Sequence, residues 1–360
     1  VKSFTFVKLP QLFLPLIAII QHLSFNICIS STTFNIQNMK SYIIQEIGQL
    51  PVQIEKEMPL LAAGEAMVHL KASALNHRDV WITKGLYPGI RLGATMGADG
   101  CGIDSDGREV VINPGLDWGD REAYQSPTFR VLGVPDEGTF ANDIMINKKY
   151  IYPKPAHLSY HEAAALPLAG LTAYRALMVR ANLQKNDKVL ISGIGGGVAL
   201  FAMQFALALD CAVYVTSGSD DKIAKAISLG ASGGYNYRDP EWTKKLQSDT
   251  SGVDVIVDSA AGAGFNQLIK VCNPGGRIVF YGGTHGKIDG LNPQPIFWKQ
   301  ISLLGSTMGS DTDFGNMLDF VSHHKIKPVI DTVYKLDNLH QGFEAMEAGL
   351  QFGKIVFDHQ

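Results

Sequence analysis

Between residues 189 and 199 the chain reads VLISGIGGGVA, an apolar run that enters four glycines and leaves into the apolar FAMQFALAL. Strand, glycine-rich turn and helix in that order make a site for the pyrophosphate of a dinucleotide. Without Cβ atoms the backbone can approach the phosphates, and the free N–H groups and dipole of the helix N-terminus offset their charge. Gly193, Gly196, Gly197 and Val198 are the candidate contacts in this turn. Ala199 stands where the common pattern has its last glycine, a position that packs helix on strand and tolerates alanine. Any tight strand-to-helix connection can also use glycine, so the following strand has to add information.

That strand, AVYVT at 212–216, ends in Ser217, Gly218 and Ser219, with Lys222 one turn into the next helix. An Asp or Glu at the strand end would hold both hydroxyls of an adenosine ribose and repel a 2'-phosphate. Two hydroxyls and an ammonium suit a phosphate monoester instead, which favours NADPH over NADH. Asp220 and Asp221 argue the other way, or serve as N-terminal residues of the helix, where carboxylates suit the dipole. Ser217 and Ser219 have a plainer reading as a turn and a cap.

Positioning these groups takes a buried parallel sheet. Helix candidates lie at 222–229 and 265–271, a short amphipathic piece at 242–247, strands at DVIVDSA from Asp254, RIVFYGG from Arg277 and ISLLGST from Ile301, and NPGG at 273–276 reads as a turn. Strands so uniformly apolar are covered on both faces. Ahead of them, residues 39–152 alternate in short strands and turns, as in Met67-His69-Lys71 against Val68-Leu70-Ala72, the texture of a β-rich barrel. The tail from Lys325 carries a strand, a helix and a closing strand that a nucleotide fold does not need, and is expected to return to the first domain, leaving a cleft between the two.

At 360 residues, 46% hydrophobic and 18% charged, the chain can bury two cores. A net charge of −3 and no basic cluster interleaved with aromatics exclude nucleic acid as a partner. Cys28, Cys101, Cys211 and Cys272 have no paired spacing, so neither a disulfide framework nor a zinc knuckle is expected, and a cytoplasmic setting is. Residues 1–38 differ in character: Lys2 and Lys8 precede LFLPLIAII, a signal-like run too short for a span, with no clear cleavage site after it. They are read as a leader or upstream extension outside the fold, and no membrane association is expected.

From residue 39 onward the chain resembles the medium-chain dehydrogenase/reductase superfamily, through an ordered series of motifs: ASALNHRDVWITKGLYPG, MGADGCGID, EGTFANDIMI, AAALPLAGLTAYRAL, the glycine turn, LGASGGYNY and GKIVF. The resemblance implies an α/β fold with a GroES-like β-rich catalytic domain at 39–153, completed by 325–360, around a Rossmann doubly wound parallel sheet at 154–324. It also implies a nicotinamide cofactor, with Thr172 near the nicotinamide, Tyr237 beside the adenosine phosphates and Gly282 under the cofactor. Thr172 has a plainer reading as a helix-internal hydroxyl, and Tyr237 as surface packing. ISLLGSTMGS matches the family's inter-subunit edge strand, which implies a homodimer.

Zinc alcohol dehydrogenases of that superfamily take a Cys from the position of Asn76 and a His-Glu pair from Ala98-Asp99, and their structural-zinc lobe corresponds to 113–131, which has no cysteine here. No metal is therefore expected. His77 and Asp79, beside Arg78, are read as hydrogen-bonded loop residues, and Arg78 with Asp79 as a structural ion pair. The zinc-free quinone-oxidoreductase and enoyl-reductase branch is most similar, implying hydride transfer from NADPH to a quinone or an activated C=C. Asn76 is the candidate donor to the substrate carbonyl or the nicotinamide ribose, and Tyr87 the candidate proton donor. Asn76 as a helix cap and Tyr87 as a packed loop aromatic are the plainer readings. Trp81, Trp118, Phe297 and Trp298 suggest an apolar acceptor pocket. A zinc-type alcohol dehydrogenase-like activity, and an NADPH-binding protein with little turnover, are the alternatives.

Overall fold

The computed structural model describes residues 38–360. The leader assignment falls almost wholly outside them, although the first strand already begins at Asn38. Strands β1 (Asn38–Ile43) and β2 (Val52–Glu57) form an antiparallel pair. β3 (Glu65–Ala74) leads into helix α1 (His77–Thr83), followed by β4 (Asp99–Asp104) and β5 (Glu109–Ile112). A two-stranded piece, β6 (Gly115–Leu116) with β7 (Arg130–Val131), occupies the lobe that lacks cysteines. β8 (Asp143–Asn147) and β9 (Ile151–Pro153) complete the first half. In β3 the apolar Val68 and Leu70 are buried while His69 faces out, so the period-two pattern marks the covered face.

Helices α2 (Tyr160–Ala165) and α3 (Pro167–Tyr174), the latter continued by a π-helical turn at Arg175–Arg180, lead to β10 (Lys188–Ile191). Then come α4 (Gly197–Ala208), β11 (Ala212–Ser217), α5 (Asp220–Ser228), β12 (Gly233–Asn236), α6 (Trp242–Thr250) and β13 (Val253–Asp258). α7 (Phe265–Val271), β14 (Cys272–Phe280), α8 (Pro293–Trp298) and β15 (Ser302–Gly305) follow. The chain closes with α9 (Asp311–His324), β16 (Ile330–Lys335), α10 (Leu339–Ala348) and β17 (Lys354–Asp358).

Six parallel strands run in the order β12-β11-β10-β13-β14-β15, the doubly wound arrangement whose ligand crevice lies beyond the carboxyl ends of the strands. NPGG is not a separate turn: β14 takes it in, and the register with β13 shifts between Val253 and Val255 to accommodate it. The second sheet runs β16-β17-β3-β4-β5-β9, with β8 also on β3. β17 lies antiparallel to β3, so the last strand of the chain is laid beside the strand that delivers α1. Cys101, Cys211 and Cys272 are buried free thiols. Among the described residues no helix is long and apolar enough to cross a membrane.

Candidate active site

A cleft of about 1240 Å³ runs along the carboxyl ends of β10, β11, β13 and β14 and under α1 and β17. The glycine turn forms its floor. Ile194 N–H donates to Thr216 O at 2.8 Å and Gly193 N–H to Thr216 Oγ1 at 3.2 Å, which pins the turn to the end of β11. Gly195 takes φ +132°, open only to glycine, and a Cβ there would meet the stem of Lys222 at 3.0 Å. Gly193, Gly196, Gly197 and Val198 all line the cleft. The first-turn N–H groups of α4 have no carbonyl within the helix to bond, so they remain for an anion.

At the end of β11 the serines form both the turn and the cap. Ser217 Oγ accepts from Ser219 N–H at 3.2 Å, and Ser219 caps α5 by accepting from Lys222 N–H. Accepting leaves each hydroxyl hydrogen free to donate. Ser217 is buried and lines the cleft, whereas Ser219 does not line it. Lys222 reaches the cleft wall, where its ammonium donates to Gly349 O at 2.8 Å, and desolvation holds its pKa below the usual lysine range. Tyr237 lines the cleft beside Gly218, where a Cβ would sit 2.7 Å from its hydroxyl oxygen. Arg238 Nε lies 3.0 Å from the same point. Sequence reading missed this arginine. Asp220 accepts from Asn236, the residue paired with Ser217 across β11 and β12, at 2.8 Å, and with Asp221 makes the first turn of α5.

The other end of the cleft is built on α1. Asn76 is 7% exposed, lines the cleft and stands at the N-cap of α1, where its N–H donates to Asp79 Oδ2 at 2.9 Å. Its Oδ1 accepts from Lys354 Nζ at 2.7 Å and its Nδ2 donates to Asp99 Oδ2 at 2.9 Å. Lys354 also donates to Asp99 Oδ2 at 2.9 Å and to Leu75 O at 2.9 Å. Gly197 lets the lysine stem pass: a methyl there would sit 2.7 Å from Lys354 Cδ. Lys354 and Asp99 were absent from the sequence-derived site. A lysine inside the otherwise apolar strand KIVF, and an aspartate among glycines in MGADGCG, were the available signals.

His77 and Asp79 stand on the first turn of α1, in a helix and not in a loop. His77 is exposed and lines the cleft, where desolvation first, then Lys354 and Lys222, lower its pKa. Arg78 lies 3.6 Å from Asp79 and donates to Leu132 O, Gly133 O and Val134 O, while Tyr87 stacks on its guanidinium at 4.8 Å and lines the cleft. Thr172 lines the cleft with its hydroxyl bonded to Leu168 O at 2.8 Å, and Gly282 lines it where a Cβ would meet Ser259 O at 2.8 Å. Of the proposed acceptor-pocket aromatics only Trp81 is in the cleft. Trp118 is buried against Phe129 and Arg175, and Phe297 and Trp298 are 65% and 81% exposed on α8.

Burial raises the Asp79 carboxyl from 3.8 to about 6, against the opposing pull of Arg78 and the Asn76 N–H. The fold therefore binds a proton more readily than the unfolded chain between those two values. The stabilisation is complete below pH 4 and is lost as the pH rises through 6, about 3 kcal/mol in all. Asp79→Asn should flatten this slope. Urea unfolding at pH 4.5 and pH 7.5 is expected to show the variant gaining on the parent by about 2 kcal/mol at the higher pH, whereas parallel curves would refute the assignment.

The alcohol dehydrogenase GroES-like domain model matches residues 62–156, and the zinc-binding dehydrogenase model residues 197–323. A zinc-type alcohol dehydrogenase-like protein, YogA, of Leptosphaeria maculans is 36% identical over 333 residues, 83% of this chain and 92% of that protein. The chain belongs to the medium-chain dehydrogenase/reductase superfamily. Quinone oxidoreductase of Mus musculus is 28% identical over 320 residues, 85% of this chain and 93% of its own length. The crystal structure of an NAD-dependent alcohol dehydrogenase superposes with a TM-score of 0.84 at 34% identity, covering 89% of this chain and all of that one. As a medium-chain dehydrogenase/reductase, the protein is an oxidoreductase whose relatives use nicotinamide nucleotides. Its glycine turn and its α1 site face one cleft.

Proposed function

We propose that the protein reduces a quinone or an activated C=C with NADPH and without zinc. One observation carries this reading: the place between Asn76 and Asp99 is filled by the Lys354 ammonium. An amide oxygen and a carboxylate already paired with a lysine do not make the soft or imidazole donor set that catalytic zinc takes. Among the described residues no group of three or more His, Cys, Asp or Glu side chains converges on a point.

In this reading residues 39–153 with 325–360 hold the acceptor and 154–324 hold the nucleotide. Gly193, Gly196, Gly197 and Val198 hold the pyrophosphate. Ser217, Lys222 and Tyr237 on the cleft wall, with Arg238 beside Gly218, surround the adenosine ribose and its 2'-phosphate while Ser219 holds the turn behind them, and Thr172 and Gly282 flank the nicotinamide. When bound, the cofactor supplies hydride. The second N–H of Asn76 donates to the acceptor carbonyl or the nicotinamide ribose, and Tyr87 delivers a proton from the cleft wall. Conjugation lowers the barrier enough for such donors to suffice where a simple ketone would need a Lewis acid. A second copy of the chain is expected against β15, which among the described residues pairs only with β14 and follows α8 with its exposed Phe297 and Trp298.

Chelator-treated protein assayed with NADPH and NADH against quinones, enones and simple alcohols or aldehydes tests the reading. Turnover with NADPH and conjugated acceptors, unchanged by chelation, is expected. Activity confined to alcohols, loss on chelation with recovery on adding zinc, or nucleotide binding without turnover on any acceptor would each overturn it.

A further inference from the structure

Lys354 is 3% exposed, and its ammonium spends its three N–H groups on Leu75 O, Asn76 Oδ1 and Asp99 Oδ2. None is left to touch a substrate. We propose that Lys354, together with Asp99, is a positioning residue that fixes which way the Asn76 amide faces and so keeps one Asn76 N–H available to the acceptor. The inference rests on the reading of Asn76 as a donor.

The two ends of an asparagine amide are alike in shape and opposite in hydrogen bonding. An ammonium can only donate and a carboxylate can only accept. With Lys354 on one side and Asp99 on the other, a single orientation pairs both, oxygen to the lysine and nitrogen to the aspartate. A half-turn of the amide would set NH2 against the ammonium and oxygen against the carboxylate, and would turn a lone pair toward the cleft.

The anchors are themselves held. Asp99 Oδ1 accepts from Leu168 N–H at 2.9 Å, its main-chain oxygen accepts from Thr139 Oγ1 at 2.8 Å, and Gly353 N–H donates to Gly195 O at 3.0 Å beside Lys354. Cation and carboxylate cancel, so the cleft gains an oriented dipole without net charge. A donor fixed before reaction costs no reorganisation when charge develops on the acceptor. The second hydrogen on Asn76 Nδ2 has no protein partner among the described residues.

Lys354→Met alone would leave a carboxylate buried without its cation, so the pair is removed together in Lys354→Met/Asp99→Asn. In that variant the Leu168 N–H still needs the oxygen of side chain 99, which turns its NH2 toward Asn76 and favours the reversed amide. The double variant is expected to fold and to bind NADPH with a Kd within about twofold of the parent. Its kcat should fall at least tenfold, roughly to the level of Asn76→Ala, given what one lost donor costs in such sites. Adding Asn76→Ala should then change kcat by less than about threefold, because the two changes remove one interaction. The side-chain amide resonances of Asn76, assigned through Asn76→Ala, should shift in the double variant without cofactor. A folded double variant with parental kcat, alongside a slow Asn76→Ala, overturns the positioning role and leaves the donor role standing. Parental kcat in Asn76→Ala takes down both. If the double variant fails to fold, Lys354→Gln/Asp99→Asn, which keeps the charge balance and most of the lysine's volume, decides: lowered kcat at unchanged NADPH Kd supports the proposal, and parental kcat overturns it.

Discussion

In Ser217→Asp protein, kcat/KM for NADPH is expected to fall by about a hundredfold to a thousandfold while that for NADH is held or rises. Ser217 is buried at the end of β11 and lines the cleft, with its oxygen already engaged by Ser219 N–H and its hydrogen free to donate. A carboxylate there removes one charge-assisted hydrogen bond to a 2'-phosphate, about 1.5–3 kcal/mol, and adds like-charge repulsion at short range. It also supplies the acceptor that two ribose hydroxyls want. The basic groups nearby make the change directional. Lys222 and Arg238 would lose their phosphate partner with the switch, so Arg238→Ala should weaken NADPH and leave NADH nearly untouched. Steady-state kinetics with both nucleotides check this, and an unchanged ratio in Ser217→Asp would remove the serine turn from cofactor selection.

The sheet was legible because its evidence is local. Val189-Leu190-Ile191 and Val255-Ile256-Val257 are apolar without a break, which a strand covered on both faces requires, and all but the rims of these strands are buried. The glycine turn was legible for the same reason, its residues being neighbours in sequence. The α1 site was half legible. Asn76 stood out within ASALNHRD, but its partners Lys354 and Asp99 lie 278 and 23 residues away, and only the pairing of β17 with β3 brings the lysine across. Arg238 was hidden likewise: parallel pairing of β11 with β12 brings it beside Gly218. Trp118, Phe297 and Trp298 misled because aromatic identity says nothing of direction. Two point out from α8, and one packs on Phe129.

Arg78→Met is expected to cost about 4 kcal/mol or more. The guanidinium bonds three successive carbonyls, Leu132 O at 2.8 Å, Gly133 O at 3.3 Å and Val134 O at 3.0 Å, and all three residues are buried. Removing it strands those acceptors, each worth roughly 1–3 kcal/mol when left unmet, although part is recovered by relaxation. It also strips Asp79 of its nearest positive neighbour, so a carboxyl that burial already holds at about 6 is driven higher and becomes neutral over a wider pH range. The loss should therefore be smaller at pH 5 than at pH 8. Adding Asp79→Asn should recover part of it at pH 8 and little at pH 5, whereas Tyr87, deprived of the guanidinium it stacks on, stays loosened in both. Urea unfolding at the two pH values separates the contributions. A pH-independent loss would mean that the carbonyl contacts carry all of it, and a loss below about 1 kcal/mol would mean that 132–134 finds other donors.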